Sequence, residues 1–249
     1  VPSLIWEPPE WHESVGSTNL LALEDPRPGR VVVARHQSAG LGRRGRSWQA
    51  PPGAALAVTA VVPAPDPAGR GWVPLLAGLA VAEALGAGPY AVDARLKWPN
   101  DVLVREEGQW RKVCGVLAQG ARHARDGAVV VVGSGVNLWQ AREELPVPTA
   151  TSWRLALGGT GPAPEETQAW LGRYLEALAA RLAEPGPARE AYAARCLTLG
   201  AEVVVHLPGG GRHTGRATGL GPDGSLVVVG PDGPRTHHAG DVVHLRPGR

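Results

Sequence analysis

The apolar positions of this chain fall into short runs and longer stripes whose spacing changes along its length. Ser17-Thr18-Asn19 caps a short helix, Leu20-Leu21-Ala22-Leu23, which Pro26 stops. Val31-Val32-Val33-Ala34 is an unbroken apolar run of the kind a buried strand shows, and 55–62 is a second strand. From 73 to 85 the residues Val73, Leu76, Ala77, Ala80 and Ala84 keep helical spacing until Gly86. Strand-like runs follow at 95–98, 113–119 and 129–132, with a turn into another short strand at 100–104. The clearest helix is 165–182, where Trp170, Leu171, Tyr174, Leu175, Leu178 and Leu182 form one stripe. A second helix, 188–197, leads to Leu199-Gly200.

Past Gly200 the period shortens. Strands at 201–207, 212–220, 225–229 and 241–245 are punctuated by Gly209-Gly210-Gly211, Gly221-Pro222-Asp223-Gly224 and Gly230-Pro231-Asp232-Gly233-Pro234. Such spacing predicts a small β-barrel of about fifty residues. The division expected is an α/β domain over 1–198 and a barrel over 199–249, with no helix-turn-helix ahead of the first.

Composition narrows the class. Of 249 residues, 43% are hydrophobic and 19% charged, enough for a buried core. No apolar run reaches the roughly 18 to 20 residues of a membrane span, and Val1-Pro2-Ser3-Leu4-Ile5-Trp6-Glu7 does not read as a signal peptide, so the cytoplasm is expected. Cys114 and Cys196 lie far apart with no CxxC, which predicts neither a metal site nor a disulfide framework. A net charge of +2 permits a polyanion partner without demanding one. The 25 basic residues include only two Lys, Lys97 and Lys112. Where this chain uses Arg almost everywhere, those two mark sites that want a compact ammonium.

Gly40-Leu41-Gly42-Arg43-Arg44-Gly45 satisfies GxGxxG after a strand, yet Pro51-Pro52 stops the helix that a dinucleotide site needs. What is left is a glycine-rich loop carrying Arg43, Arg44 and Arg46. Backbone N–H groups and guanidinium forks there suit a phosphate or carboxylate, and the loop suits a lid that is mobile when empty.

The chain resembles biotin protein ligase through five segments in order. They are Ser17-Thr18-Asn19, residues 37–48 from Gln37 to Trp48, Lys97-Trp98-Pro99-Asn100-Asp101, Lys112-Val113-Cys114-Gly115-Val116-Leu117, and Gly133-Ser134-Gly135-Val136-Asn137. The tail is similar to that family's C-terminal domain through Gly215–Leu220, Asp223-Gly224-Ser225-Leu226 and Gly240-Asp241-Val242. The resemblance implies an α/β (α+β) catalytic domain with a mixed sheet flanked by helices, similar to class II aminoacyl-tRNA synthetases, plus an SH3-like barrel. It implies the short form of the family, without a DNA-binding module or a repressor role. It also implies two steps: biotin and ATP give biotinyl-AMP and pyrophosphate, then a lysine of a biotin carboxyl carrier protein takes the biotinyl group.

The same resemblance implies a set of roles. Lys112, Arg43 and Asp101 are the catalytic group, Lys112 reaching both the biotin carboxylate and the α-phosphate. Biotin meets Ser17, Thr18, Asn19, Gln37, Leu41, Gly42, Arg43, Lys112 and Gly115. ATP meets Arg43, Arg46, Trp48, Lys97, Asn100, Asp101, Lys112 and Asn137, with Mg²⁺ carried by the triphosphate. Trp48 is read as an aromatic wall and Trp98 as core. The family's loop usually has Arg where Leu41 stands; if that side chain contacts ligand, adenylate retention weakens, and if only the backbone does, which is the favoured reading, Leu41 changes nothing. Partners are the carrier protein, biotin and ATP, with no DNA and no membrane, as a monomer or homodimer. Lipoate or octanoate transfer would need an Arg-Arg, a Gly-Gly-Gly run and a His-Asp pair in a different arrangement, not found here. A nucleic-acid-binding module would place aromatics on the barrel strands, which have no Trp, Tyr or Phe.

Overall fold

The computed structural model describes residues 4–207, 210–238 and 240–245. The opening Val1-Pro2-Ser3, the start of the triple-glycine turn at Gly209 and the last four residues lie outside them. In chain order the first part runs β1 Glu10–His12, α1 Thr18–Glu24, β2 Val31–Ala34, β3 Gly40–Leu41, β4 Ser47–Trp48, β5 Ala55–Pro63 and α2 Val73–Leu85. It continues with β6 Ala94–Lys97, β7 Asp101–Glu106, β8 Gln109–His123, β9 Gly127–Asn137, α3 Trp153–Ala156, α4 Pro164–Ala183 and α5 Pro185–Arg195. The second part has only strands: β10 Glu202–His206, β11 Arg212–Leu220, β12 Leu226–Gly230, β13 Gly233–His237 and β14 Asp241–His244.

Seven strands form one mixed sheet in the order β1-β2-β5-β9-β8-β7-β6, in which β1 and β2 are parallel and the other pairs antiparallel. All four residues of β2 are buried because both faces of the sheet are covered. Val31 and Val33 join the core under α2 and α4, while Val32, Val61, Val129 and Val131 pack with Ala22 of α1 on the opposite face. Helix α4 buries the predicted stripe, Trp170, Leu171, Tyr174, Leu175 and Leu178, and its first turn carries Glu165 and Glu166 where the helix dipole favours acids. The Tyr174 hydroxyl and Ser134 Oγ lie 3.0 Å apart inside this core.

The second sheet is antiparallel in the order β13-β12-β11-β10-β14. Its inward residues Val203, Val205, Ala217, Leu226, Val228 and Val242 belong to the same apolar cluster as α2 and α4. Trp98 Nε1 donates to Gly224 O at 3.0 Å and Trp72 Nε1 to Pro222 O at 2.9 Å, so two indoles pin a turn of the second sheet to the first part. That order is open: among the described residues β13 and β14 do not pair, and the expected closed barrel is not present.

Four other expectations change. The glycine-rich loop that carries Arg43, Arg44 and Arg46 is not all loop, since β3 and β4 pair at its two ends, Gly40 opposite Trp48. Strand β1 has too few residues for a periodic signal. β13 occupies what reads as a Gly-Pro turn, and Pro234 is accommodated because β13 is an edge strand that needs no second set of donors. Helix α5 begins three residues early, at Pro185, because the first turn of a helix tolerates prolines that lack an N–H.

His213 Nδ1 and His237 Nε2 lie 2.7 Å apart in the second sheet, and burial lowers the pKa of both rings from 6.5. Burial, then the charge of Lys97, lowers His244 to about 4. The folded chain therefore binds fewer protons than the unfolded chain, and stability is full above pH 6.5 and declines as pH falls below it. Urea unfolding should show a lower midpoint at pH 5.5 than at pH 7.5, and His213→Gln with His237→Gln should flatten that difference.

Candidate functional site

One cleft of about 440 Å³ opens where β6, β7 and β8 meet the β3–β4 loop on one side and β14 on the other. Lys112 enters it from β8. Val102 pairs with Cys114 but Leu103 with Lys112, so Val113 is an extra residue, and this bulge re-aims the lysine. The Lys112 backbone is braced from behind, its N–H donating to Thr149 O and its carbonyl accepting from Thr151 N, both at 2.8 Å. Its ammonium lies 2.5 Å from Asp101 Oδ1. Asp101 opens β7 opposite Lys97 of β6 and Gly115 of β8, so one carboxylate stands among two lysines on three adjoining strands. Burial depresses the pKa of Lys97, and the Asp101 charge opposes that shift.

Asn100 sits in the turn before Asp101, next to the cis Trp98–Pro99 peptide. Its Nδ2 donates to Val116 O at 3.0 Å, and its Oδ1 accepts from Arg43 Nη1 at 3.1 Å. Arg43 is thereby drawn over the cleft; burial depresses its pKa while Asp241 and Asp101 oppose the shift. Arg44 and Arg46 turn the other way, each to one oxygen of Asp241 on β14, at 3.2 and 2.8 Å. Leu41 lines the cleft. Trp98 is 2% exposed, as a core residue should be, whereas Trp48 stays at the cleft.

Trp48 lies on bare backbone. A Cβ at Gly135 would come within 2.6 Å of its ring, and one at Gly133 within 2.1 Å of Asn19 Oδ1, so Gly133-Ser134-Gly135 is a floor on which larger side chains rest. At Gly115 a Cβ would meet Lys112 Nζ at 3.0 Å. Beyond Trp48 a small cavity of about 30 Å³ continues the cleft towards Ser17, Thr18 and Gln37. Gln37 Oε1 accepts from the Thr18 N–H at 2.8 Å and its hydroxyl at 3.0 Å. The Asn19 amide is fully engaged, donating to Gln119 Oε1 and Leu117 O and accepting from Thr59. Asn137 lines the larger cleft and is also tied inside the protein: its Nδ2 donates to Thr151 O and its Oδ1 accepts from Gln140, both at 2.9 Å. These two asparagines brace the walls.

A second cavity of about 380 Å³ shares Arg43, Asn100, Pro99 and Leu117 with the first and runs to Asp223, Ser225 and His238 of the second sheet. Cys114 is buried, and burial pushes its thiol pKa up, so it offers no thiolate. Among the described residues no group of three or more His, Cys, Asp or Glu is arranged to hold a metal ion. The arrangement gathers every predicted site residue except the inner Ser17, Thr18, Asn19 and Gln37 around the larger cleft, and those four line its narrow extension. Asp241, Thr59 and Thr151 were not among the candidates. Asp241 was visible only as part of a tail motif, with nothing local to show a partner nearly two hundred residues away.

A cationic cleft under a glycine-rich loop, with a polar slot at its inner end, defines an enzyme that binds anionic small molecules. Residues 11–137 match the biotin/lipoate A/B protein ligase family and residues 198–245 the biotin protein ligase C terminal domain, and the chain belongs to that family. It is 40% identical over 243 residues to the biotin–[acetyl-CoA-carboxylase] ligase of Mycobacterium tuberculosis, covering 93% of this chain and 86% of that one. The enzyme of the same name from Paracoccus denitrificans is 35% identical, with 85% and 88% covered. The biotin protein ligase of Aquifex aeolicus, solved in complex with biotin and ATP, superimposes with a TM-score of 0.77 at 28% identity over 97% of this chain and all of that one.

The glycine floor can be tested without any ligand. Gly135→Ala forces its methyl into the Trp48 ring and should cost about 1–3 kcal/mol, the usual range for overpacking. A lower urea midpoint with unchanged slope is the expected result, and Trp48→Ala in the same chain should recover most of the loss.

Proposed function

We propose that the chain is a biotin protein ligase that joins biotin and ATP into biotinyl-AMP, releases pyrophosphate, and transfers the biotinyl group to a lysine of a biotin carboxyl carrier protein. The observation that carries this reading is the meeting of Lys112, Lys97 and Arg43 around one cleft whose inner end is the Thr18–Gln37 polar slot. Biotin is a carboxylate on an apolar chain with a polar ureido head, and that cleft matches it end to end. The head faces Ser17, Thr18 and Gln37, the chain passes Leu41 and Trp48, and the carboxylate arrives at Lys112. The inner cavity is far smaller than the few hundred Å³ of ordinary ligand sites, so Trp48 and Leu41 must shift to admit the ring.

In the first step a biotin carboxylate oxygen attacks the α-phosphorus and pyrophosphate leaves. Both reactants are anions, so the task is alignment and charge neutralisation. Lys112 leaves its contact with Asp101 to bridge the carboxylate and the α-phosphate. Lys97 and Arg43 neutralise the phosphates, Arg46 stands at the rim, and Asp101 orients the lysines. Mg²⁺ carried on the triphosphate would add further charge neutralisation there. In the second step the carrier's lysine amine attacks the acyl carbon, forming the amide and expelling AMP. The cavity that adjoins Arg43 and Asn100 offers an approach for that lysine separate from the nucleotide.

The domain division follows the same reading: a catalytic unit over 1–198, built like the sheet-based activating domains of class II aminoacyl-tRNA synthetases, and an SH3-like C-terminal unit over 199–249. The long, mostly antiparallel sheet and the short strands of the second part support it. The second part supplies a wall, since Asp241, Val242 and Val243 line the cleft. The cytoplasm is the proposed compartment, supported by two free cysteines and no helix, among the described residues, long and apolar enough to cross a membrane.

Biotin- and ATP-dependent pyrophosphate release, followed by labelling of a carrier domain, tests the whole reading; no release from the folded chain overturns it. Lys112→Ala should reduce that release by about 10²–10³-fold, the cost of losing a key electrostatic group, without altering the unfolding midpoint by more than a few degrees. Arg43→Gly should let the reactive adenylate escape, seen as biotin appearing on bystander proteins mixed with the enzyme. Labelling confined to the carrier would refute the loop's role in retention.

A further inference from the structure

Three arginines stand within four residues of the glycine loop, and the structure does not use them alike. Arg43 bends inward to Asn100, whereas Arg44 and Arg46 both grip Asp241 at the start of β14, with the carboxylate giving one oxygen to each. Asp241 is itself held in place: it pairs with His206 in the β10–β14 ladder, and its neighbour Val242 is buried in the shared core. Burial works against its ionisation, but the charges and hydrogen bonds of Arg46 and Arg44 prevail and hold the carboxyl below its ordinary range.

The backbone supplies an independent sign that this contact matters. Arg44 has φ 58° and ψ 37°, the left-handed region that residues with a Cβ enter at a cost of roughly 1–2 kcal/mol. Gly45 beside it has φ 73°, which glycine adopts freely. Something must offset the conformation at Arg44, and the contact its side chain makes is with Asp241. Within the loop, Gly42 N–H donates to Arg46 O at 2.6 Å, so fixing Arg46 also fixes the chain on which Arg43 is mounted.

We propose that Asp241 is a positioning residue for the nucleotide step: it latches Arg44 and Arg46 onto the C-terminal sheet, closes the loop over the cleft, and leaves Arg43 to meet the phosphate. The division of labour reassigns Arg46 from a phosphate clamp to a tether. It also gives the C-terminal part a defined task, to provide the fixed post against which the loop shuts. The nucleotide half of this inference rests on the ligase reading; the latch itself does not.

Limited trypsin digestion of the full ligand-free chain reads the latch directly, because cleavage after residues 43, 44 and 46 requires the loop to open. With Asp241→Asn, cleavage there should be roughly tenfold faster, as expected for losing two part-exposed ion pairs, and Asp241→Glu should restore most of the protection. Arg44→Ala with Arg46→Ala attacks the same latch from the loop side. Cleavage after Arg43 should accelerate to a similar degree in that chain, and adding Asp241→Asn should add little. In the pyrophosphate assay Asp241→Asn should raise KM for ATP several-fold more than it lowers kcat. Unchanged cleavage in Asp241→Asn, or fully additive effects with the arginine variants, overturns the latch. Faster cleavage in Asp241→Asn, together with a parent chain that makes no pyrophosphate, would keep the latch and defeat the ligase reading, so the two failures are distinct.

Discussion

Lys97, Lys112 and Arg43 share a half-buried cleft in which their mutual repulsion is screened less than it would be in water. Left alone, such groups would splay outward or lose their charge, and burial already depresses the pKa of Lys97 and Arg43. Asp101 makes the cluster sustainable. It stands opposite Lys97 in one ladder, touches Lys112 across the next, and opposes the depression of both Lys97 and Arg43. A carboxylate between the lysines opposes the depression of Lys97 and holds the Lys112 ammonium in place.

The rest of the architecture holds that arrangement at fixed distances. A β-bulge at Val113 turns Lys112 towards the cleft, and the Thr149–Thr151 segment braces its backbone. Asn19 ties α1 to β8, and Thr59 of β5 joins the same network, so the inner slot is built from polar groups whose mutual bonds leave little freedom. The glycine floor of β9 admits Trp48 to a depth that any side chain would deny. The two sheets share one apolar cluster, and the Trp98 and Trp72 indoles bond across the junction, so β14 is positioned by core packing rather than by the loop it meets. A loop with three glycines can then close against a rigid post.

Much of this was legible from residue order. The 3.6-residue stripe of α4 and the bounds of α2 follow from apolar spacing, because a helix that covers a sheet must bury one face. The site residues stood out because an Arg-rich chain keeps just two lysines, both of which fall inside motifs that resemble one family. Elements without a local signal were missed: β1 is three residues long, β3 and β4 two each, and β13 carries a proline that an edge position excuses. Asn19 and Asn137 read as ligand contacts; both lie along the cavities, and only folding brings near them the walls to which their amides also bond.

The sequence by itself determined which chemistry the chain can perform and the helices and strands that carry it, since periodicity and side-chain type are properties of neighbours along the backbone. Tertiary structure decided the partners: which carboxylate steadies the lysines, which arginine turns to Asn100 and which to Asp241, and that β13 and β14 do not pair among the described residues. Those outcomes depend on pairings such as Arg46 with Asp241, made across 195 positions. Loop closure over such a span is permitted by packing elsewhere, and no local pattern can encode it.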